Sequence, residues 1–198
     1  TGAHETGLRT IRFTNRGTAT AFEESWELVH VLAARRDRLD KQIAVMAADS
    51  CFTPVVTNLC CLRGIATLTG FALAVEIGDW SRFSGSSIGA FVGLTPSEHS
   101  SGGSRHLGAI TKAGNTHARR LRIESAWLHK PRYVVGKVLQ DRWDAAPAAA
   151  RRRADEGNRR LHHRWVQFAR RGKQHNVATT AVARELAGWC WSLATLPA

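Results

Sequence analysis

Leu59-Cys60-Cys61-Leu62-Arg63-Gly64-Ile65-Ala66-Thr67-Leu68-Thr69-Gly70-Phe71-Ala72-Leu73-Ala74-Val75-Glu76-Ile77-Gly78 is predominantly apolar on both sides of Arg63-Gly64. Apolar runs flanking a glycine predict a short helix, a turn and a second helix. Thr67 or Thr69 can start the second helix, and Gly78 can end it. This is the shape of a helix-hairpin-helix, whose turn, here at Gly64, offers backbone N–H groups to a phosphate. An ordinary αα-hairpin has the same pattern. Cys51 to Asn58, containing Pro54, reads as the connector that leads in.

Toward the N-terminus, residues 1–20 are polar and read as irregular. A helix is expected from near Thr20 to about Ala48, with Val29, Leu32, Leu39, Ile43 and Met46 spaced by three, four and seven. Arg36 interrupts this heptad stripe. The stripe fits a coiled-coil dimer seam and equally a helix packed on its own domain. The domain expectation is therefore 1–50, an irregular start and linker helix, and 51–198, the main body.

Toward the C-terminus, residues 81–104 contain eight Ser and five Gly and read as a loop. Such a loop can bring backbone close to a phosphate, or serve as a linker. From Lys112 a helix follows, capped near Gly114-Asn115 and carrying Arg119, Arg120 and Arg122. Residues 145–150 read as a break or a helix start. Beyond them come Arg151 to Arg153, Arg159, Arg160, Arg164, Arg170, Arg171 and Lys173, interleaved with Trp165 and Phe168. Rings beside guanidinium groups suit stacking on bases and also plain core packing, the reading preferred for Trp165. A last amphipathic helix is expected over about 176–196. The fold class is mainly α: a long linker helix, a helical hairpin, a Ser/Gly loop and basic C-terminal helices.

The 198 residues carry a net charge of +12, distributed unevenly. Residues 1–104 hold 9 Lys+Arg and 10 Asp+Glu, whereas residues 105–198 hold 19 and 6. A basic half of this kind points to a polyanion, nucleic acid first, against a solvated basic surface or adhesion to acidic membranes. If six to ten phosphates are contacted, affinity falls roughly 10³–10⁵-fold between 50 and 200 mM salt. No apolar run reaches the roughly 18 residues of a membrane-spanning helix, and no secretory h-region opens the chain. Cys51, Cys60, Cys61 and Cys190 match neither a zinc spacing nor a disulfide framework, which suggests a reducing cytosol. The only Met is Met46, so a fragment of a longer protein is expected.

Glu76-Ile77-Gly78-Asp79-Trp80-Ser81-Arg82-Phe83, Gly93-Leu94-Thr95-Pro96-Ser97-Glu98-His99-Ser100-Ser101-Gly102-Gly103 and Gly108-Ala109-Ile110-Thr111-Lys112-Ala113-Gly114-Asn115 together resemble the C-terminal domain of the bacterial insertion-sequence 110/116/902 transposases, the Piv/MooV or DEDD group. His162 to Trp191, with Arg171-Gly172-Lys173 and Ala183-Arg184-Glu185-Leu186-Ala187-Gly188, is similar to the same family. Arg63 and Ala66 stand where the family's turn has its first Pro and second Gly. The resemblance implies a bacterial, nucleoid-associated cytoplasmic enzyme that exchanges DNA strands under an element-encoded guide RNA, as a homo-oligomer. It implies a RuvC-like N-terminal domain holding divalent metal (Mg), no cofactor in this chain, and a Ser nucleophile: Ser101 by motif position, with Ser100 its neighbour.

Activated Ser attacks phosphorus while cations offset charge on the nonbridging oxygens. Arg105 and Lys112 are nearest in sequence, then Arg119 and Arg120. The expected nucleic-acid contacts are Gly64, Arg105, Lys112, Arg119, Arg120, Arg122, Arg170, Arg171 and Lys173. His99 or His106 could move a proton. Glu76, Asp79 and Glu98 are too scattered to replace the metal-holding acids, so this segment alone is expected not to cut DNA. The alternative is a non-catalytic helical module in which Ser101 only contacts phosphate.

Overall fold

The computed structural model describes residues 2–104 and 106–197. Arg105, expected to lie near the nucleophile, falls outside them. Among the described residues the chain is mainly α: α1 (Gly2–Arg9), α2 (Arg16–Ala48), α3 (Thr53–Leu59), α4 (Thr67–Ile77), α5 (Ile88–Phe91), α6 (Thr116–Trp127), α7 (Lys137–Asp144), α8 (Ala148–Arg170) and α9 (His175–Ala194). A two-stranded antiparallel sheet, β1 (Pro96–Glu98) and β2 (Leu107–Ile110), lies between α5 and α6. Among the described residues no helix is long and apolar enough to cross a membrane.

The chain divides into two compact units, Thr1–Ile43 and Ala44–Ala198. In the first, residues expected to be irregular form α1, where the Thr6 hydroxyl donates to the Gly2 carbonyl one turn back. α2 begins earlier than expected because Asn15 caps it, its side chain accepting from the Thr18 N–H at 3.1 Å. Phe13, Phe22, Trp26 and His30 form a chain of ring contacts with centroids 4.8–6.1 Å apart.

In the second unit, α9 is the hub. Val182, Ala183, Leu186, Ala187, Cys190 and Leu193 are all fully buried, and α9 packs against α3, α5, α6 and α8. The first helix of the apolar hairpin lies earlier than expected. Pro54 sits in the opening turn of α3, a position where its missing N–H costs nothing. The stretch 60–66 is the turn. α4 starts at Thr67 and ends at Gly78 with φ +64°.

That turn faces inward. The Arg63 N–H donates to buried Asn158 at 2.9 Å, and Asn158 in turn donates to the Cys61 carbonyl. Trp143 donates to the same carbonyl, Arg142 to that of Ile65, and Arg63 to Pro131 and Arg132. Gly64, at φ +88°, lies where a Cβ would stand 2.6 Å from the Ser125 carbonyl oxygen. Close approach to α6 therefore requires glycine here. Cys60, Cys61 and Cys190 are buried thiols pushed up to about 11 by desolvation.

Candidate nucleic-acid interface

The Ser/Gly segment is not the irregular loop its composition suggested. Residues 95–104 and 106–111 form a β-hairpin. Its base is closed by the Thr111 N–H donating to Thr95 and the Lys112 N–H to Gly93. The ladder passes Pro96 opposite Ile110 and Glu98 opposite Leu107, and the His99 N–H donates to the His106 carbonyl at 2.9 Å. Ser101 and Ser104 then exchange both backbone hydrogen bonds at 3.2 Å around a Gly102-Gly103 turn. Two glycines let the chain reverse in two residues. Polar composition masked the hairpin because its ladder is backbone-to-backbone and neither strand has a buried residue.

Where the hairpin leaves the body, two backbones cross. Gly93 (φ +67°) lies against Ala113, and Gly114 (φ +72°) against the Phe91 carbonyl, leaving no room for a Cβ at either. Arg119 clamps both arms: its Nη1 donates to the Val92 carbonyl at 3.1 Å and to the Ala113 carbonyl at 3.0 Å. Asn115 caps α6 by accepting from the Ala118 N–H. Its Nδ2 donates to Glu76 at 2.6 Å, and His117 Nδ1 lies 2.7 Å from the same carboxylate. Those two hydrogen bonds, Asn115 first, hold Glu76 below the usual carboxylate range.

At the tip every side chain from His99 to Ser104 is exposed, and a Cβ at Gly102 or Gly103 would meet nothing within 4 Å. The Ser100 hydroxyl donates to Glu98 Oε1 at 2.7 Å and accepts the His106 N–H at 3.3 Å. Ser104 Oγ lies 2.9 Å from His106 Nε2. Ser101 Oγ has no partner among the described residues. As opposed members of one hydrogen-bonded pair, Ser101 and Ser104 point to the same face.

Among the described residues the expected cations do not gather around Ser101. Six residues of extended chain separate the base from the tip, about 20 Å at roughly 3.3 Å per residue. Lys112, at the base with φ +56°, therefore lies far from Ser101. Arg119 is 9% exposed and Arg122 is completely buried. Arg122 donates to the Ala118 carbonyl and stacks 5.9 Å from the Trp80 ring. Burial lowers its pKa, with Cys190 the nearest opposing influence. Neither of these two arginines faces a polyanion, which corrects the sequence expectation. An arginine on the inner face of a helix looks like one on the outer face until the helix phase is known.

Arg120, Arg170, Arg171 and Lys173 are exposed. Arg120 lies near the N-terminus of α6. The other three follow Trp165, which packs on Trp127 at the opposite end of α6. Arg120 and Trp127 are seven residues apart along α6, about 10 Å. Among the described residues no three His, Cys, Asp or Glu side chains converge as a metal set. Glu76 is held by Asn115 and His117, Asp79 accepts from both the N–H and hydroxyl of Ser81, and Glu98 accepts from Ser100. This donor set does not fit a divalent metal.

The profile described as "Transposase IS116/IS110/IS902 family" matches residues 56–138. A Sinorhizobium fredii protein named as a transposase, y4qE, is 35% identical over 162 residues, which is 81% of this chain and 42% of that protein. A Pseudomonas aeruginosa protein named as a family 20 transposase is 30% identical over 167 residues, covering 83% of this chain and 42% of its own length. The transposase for insertion sequence element IS1328 of Yersinia enterocolitica is 28% identical over 141 residues, 70% of this chain and 35% of that protein. The chain thus spans about two-fifths of the length of the first two relatives it matches.

Proposed function

The chain belongs to the IS116/IS110/IS902 transposase family, and on that premise we propose that it is the DNA-binding, nucleophile-bearing part of an insertion-sequence transposase. The observation that carries this reading is the hairpin: a clamped base and an exposed Ser100-Ser101 tip followed by Gly102-Gly103. In the proposed step Ser101 Oγ bonds to a DNA phosphorus and the bond from phosphorus to the leaving deoxyribose oxygen breaks. The hydroxyl proton passes to a base, and the leaving oxygen takes up a proton. Ser104, which shares a face with Ser101, lies 2.9 Å from His106 Nε2, and this makes His106 the candidate base. The exposed cations hold DNA, and an element-encoded RNA, by their phosphates. A divalent metal, where the reaction uses one, would be held by residues other than those described in this chain.

The test compares Ser101→Ala with Ser100→Ala in a transposase as long as the relatives. Ser101→Ala should abolish strand cleavage and leave DNA binding nearly unchanged. Cleavage by Ser101→Ala at the normal rate overturns the assignment, and loss in Ser100→Ala alone moves the role one residue upstream.

A further inference from the structure

A groove of about 840 Å³ follows α9, bounded by the base of the hairpin and by the segment that enters α5. Its floor is mostly apolar and includes Ile110, Ala181, Trp189 and Trp191. Its rim carries Arg153, Arg164 and Arg184 against one carboxylate, Glu185. Glu185 is already engaged by Arg160 at 2.8 Å and Arg164 at 3.1 Å, so the rim stays positive. Arg153 is fixed by its bond to Ser192 Oγ at 2.6 Å, with its guanidinium 4.4 Å from the Trp189 ring centre. Arg184 is exposed, rests its stem on Gly89, and makes no hydrogen bond or ion pair among the described residues. The Trp191 indole N–H is shielded from solvent and has no partner among the described residues.

We propose that this groove takes unpaired nucleotides, with bases against the indole floor and phosphates on the Arg184 side of the rim. The proposal rests on the nucleic-acid reading above and adds a site to it. The volume matches pockets that enclose one or a few organic rings. An apolar floor with rings suits the faces of bases, which stack on aromatic side chains regardless of sequence. Bases inside a duplex cannot reach such a floor unless extruded, so the groove selects unpaired strand over duplex. Arg164 is held by Glu185 and Arg153 by Glu156 at 3.1 Å, so a purely apolar occupant would leave the Arg184 guanidinium unanswered, whereas a phosphate answers it.

The test uses the full chain and a short deoxythymidine oligonucleotide carrying one photoreactive 4-thiothymidine, with crosslinked peptides identified by mass spectrometry. Crosslinks are expected on the α9 peptide containing Trp189 and Trp191. Ala181→Trp, which fills the groove, should weaken the oligonucleotide by about 5- to 150-fold, the worth of one stacked base, and leave blunt duplex binding unchanged. Arg184→Glu changes only an exposed side chain and should weaken the oligonucleotide in the same direction, so the result does not depend on Ala181→Trp folding. Crosslinks confined to other segments, with the oligonucleotide still bound, overturn the groove and leave the transposase reading standing. Loss of both strand types in the unaltered chain overturns both. Displacement of the oligonucleotide by a polyglutamate peptide more readily than by unlabelled oligonucleotide assigns the groove to an acidic protein segment and also overturns the proposal.

Discussion

Arg119 and Arg120 are neighbours in sequence with opposite environments, and they show how a single residue's role is set by helix phase. Arg119 bridges two backbone carbonyls at the hairpin base. Arg120 has a side chain 68% exposed and reaches only Glu124, at 3.5 Å. Removing Arg119 strands buried acceptors, so Arg119→Met should cost about 2–4 kcal/mol in chemical denaturation. Arg120→Ala should change stability by less than about 0.5 kcal/mol while weakening DNA binding. His129 makes a second residue-scale prediction. It is fully buried, and desolvation first, then the nearby Arg63 charge, lowers its pKa from 6.5 to about 3. Between those values the unfolded chain binds the proton and the folded chain does not, so stability rises with pH across that window and is lost on acidification. At pH 5 this loss amounts to about 2 kcal/mol relative to pH 7. Denaturation midpoints of His129→Phe should be flatter over pH 4–6.5 than those of the unaltered chain.

At the scale of elements, α2 is notable for what it leaves uncovered. Val29, Leu32, Leu39 and Met46 are 58%, 52%, 47% and 47% exposed, on the heptad spacing that lets two helices pair. Arg36 should keep the pairing weak. Leu39→Asp should shift the mass measured by light scattering from dimer to monomer without loss of helicity; a monomer before substitution, at high concentration, contradicts the pairing. α4, α6, α8 and α9 were legible because periodicity, Pro147 at the α8 start, the Asn115 cap and Gly78 at the α4 end are local signals, whereas α3 was read as a connector and α7 was not read. α1 was missed because its glycines outweigh local propensity in a short window. The β-hairpin was missed because its strands have no apolar alternation, the signal a strand needs to be read from sequence.

At the scale of the molecule, charge counts overstated the nucleic-acid surface. The second half has 19 basic residues, but Arg119 and Arg122 are buried, and Arg159, Arg160 and Arg164 are paired with carboxylates. Of the cations expected at the interface, Lys112, Arg120, Arg170, Arg171 and Lys173 are exposed. Five phosphate contacts give a salt slope of about −4.5, or about 500-fold weaker duplex binding at 200 than at 50 mM salt. That is a smaller loss than six to ten contacts would produce. The candidate nucleophile was legible only as a motif. Its surroundings depend on which residues the hairpin ladder sets opposite one another, which no sequence count contains.

The account turns on the hairpin tip presenting a serine to DNA. The most direct measurement is mass-spectrometric mapping of the covalent adduct formed when a transposase containing this chain is trapped on a DNA substrate it cannot religate. The account predicts one nucleotide-bearing peptide from the hairpin, with the phosphate on Ser101. A modification on a residue outside 100–101, or strand cleavage with no protein adduct at all, would contradict it.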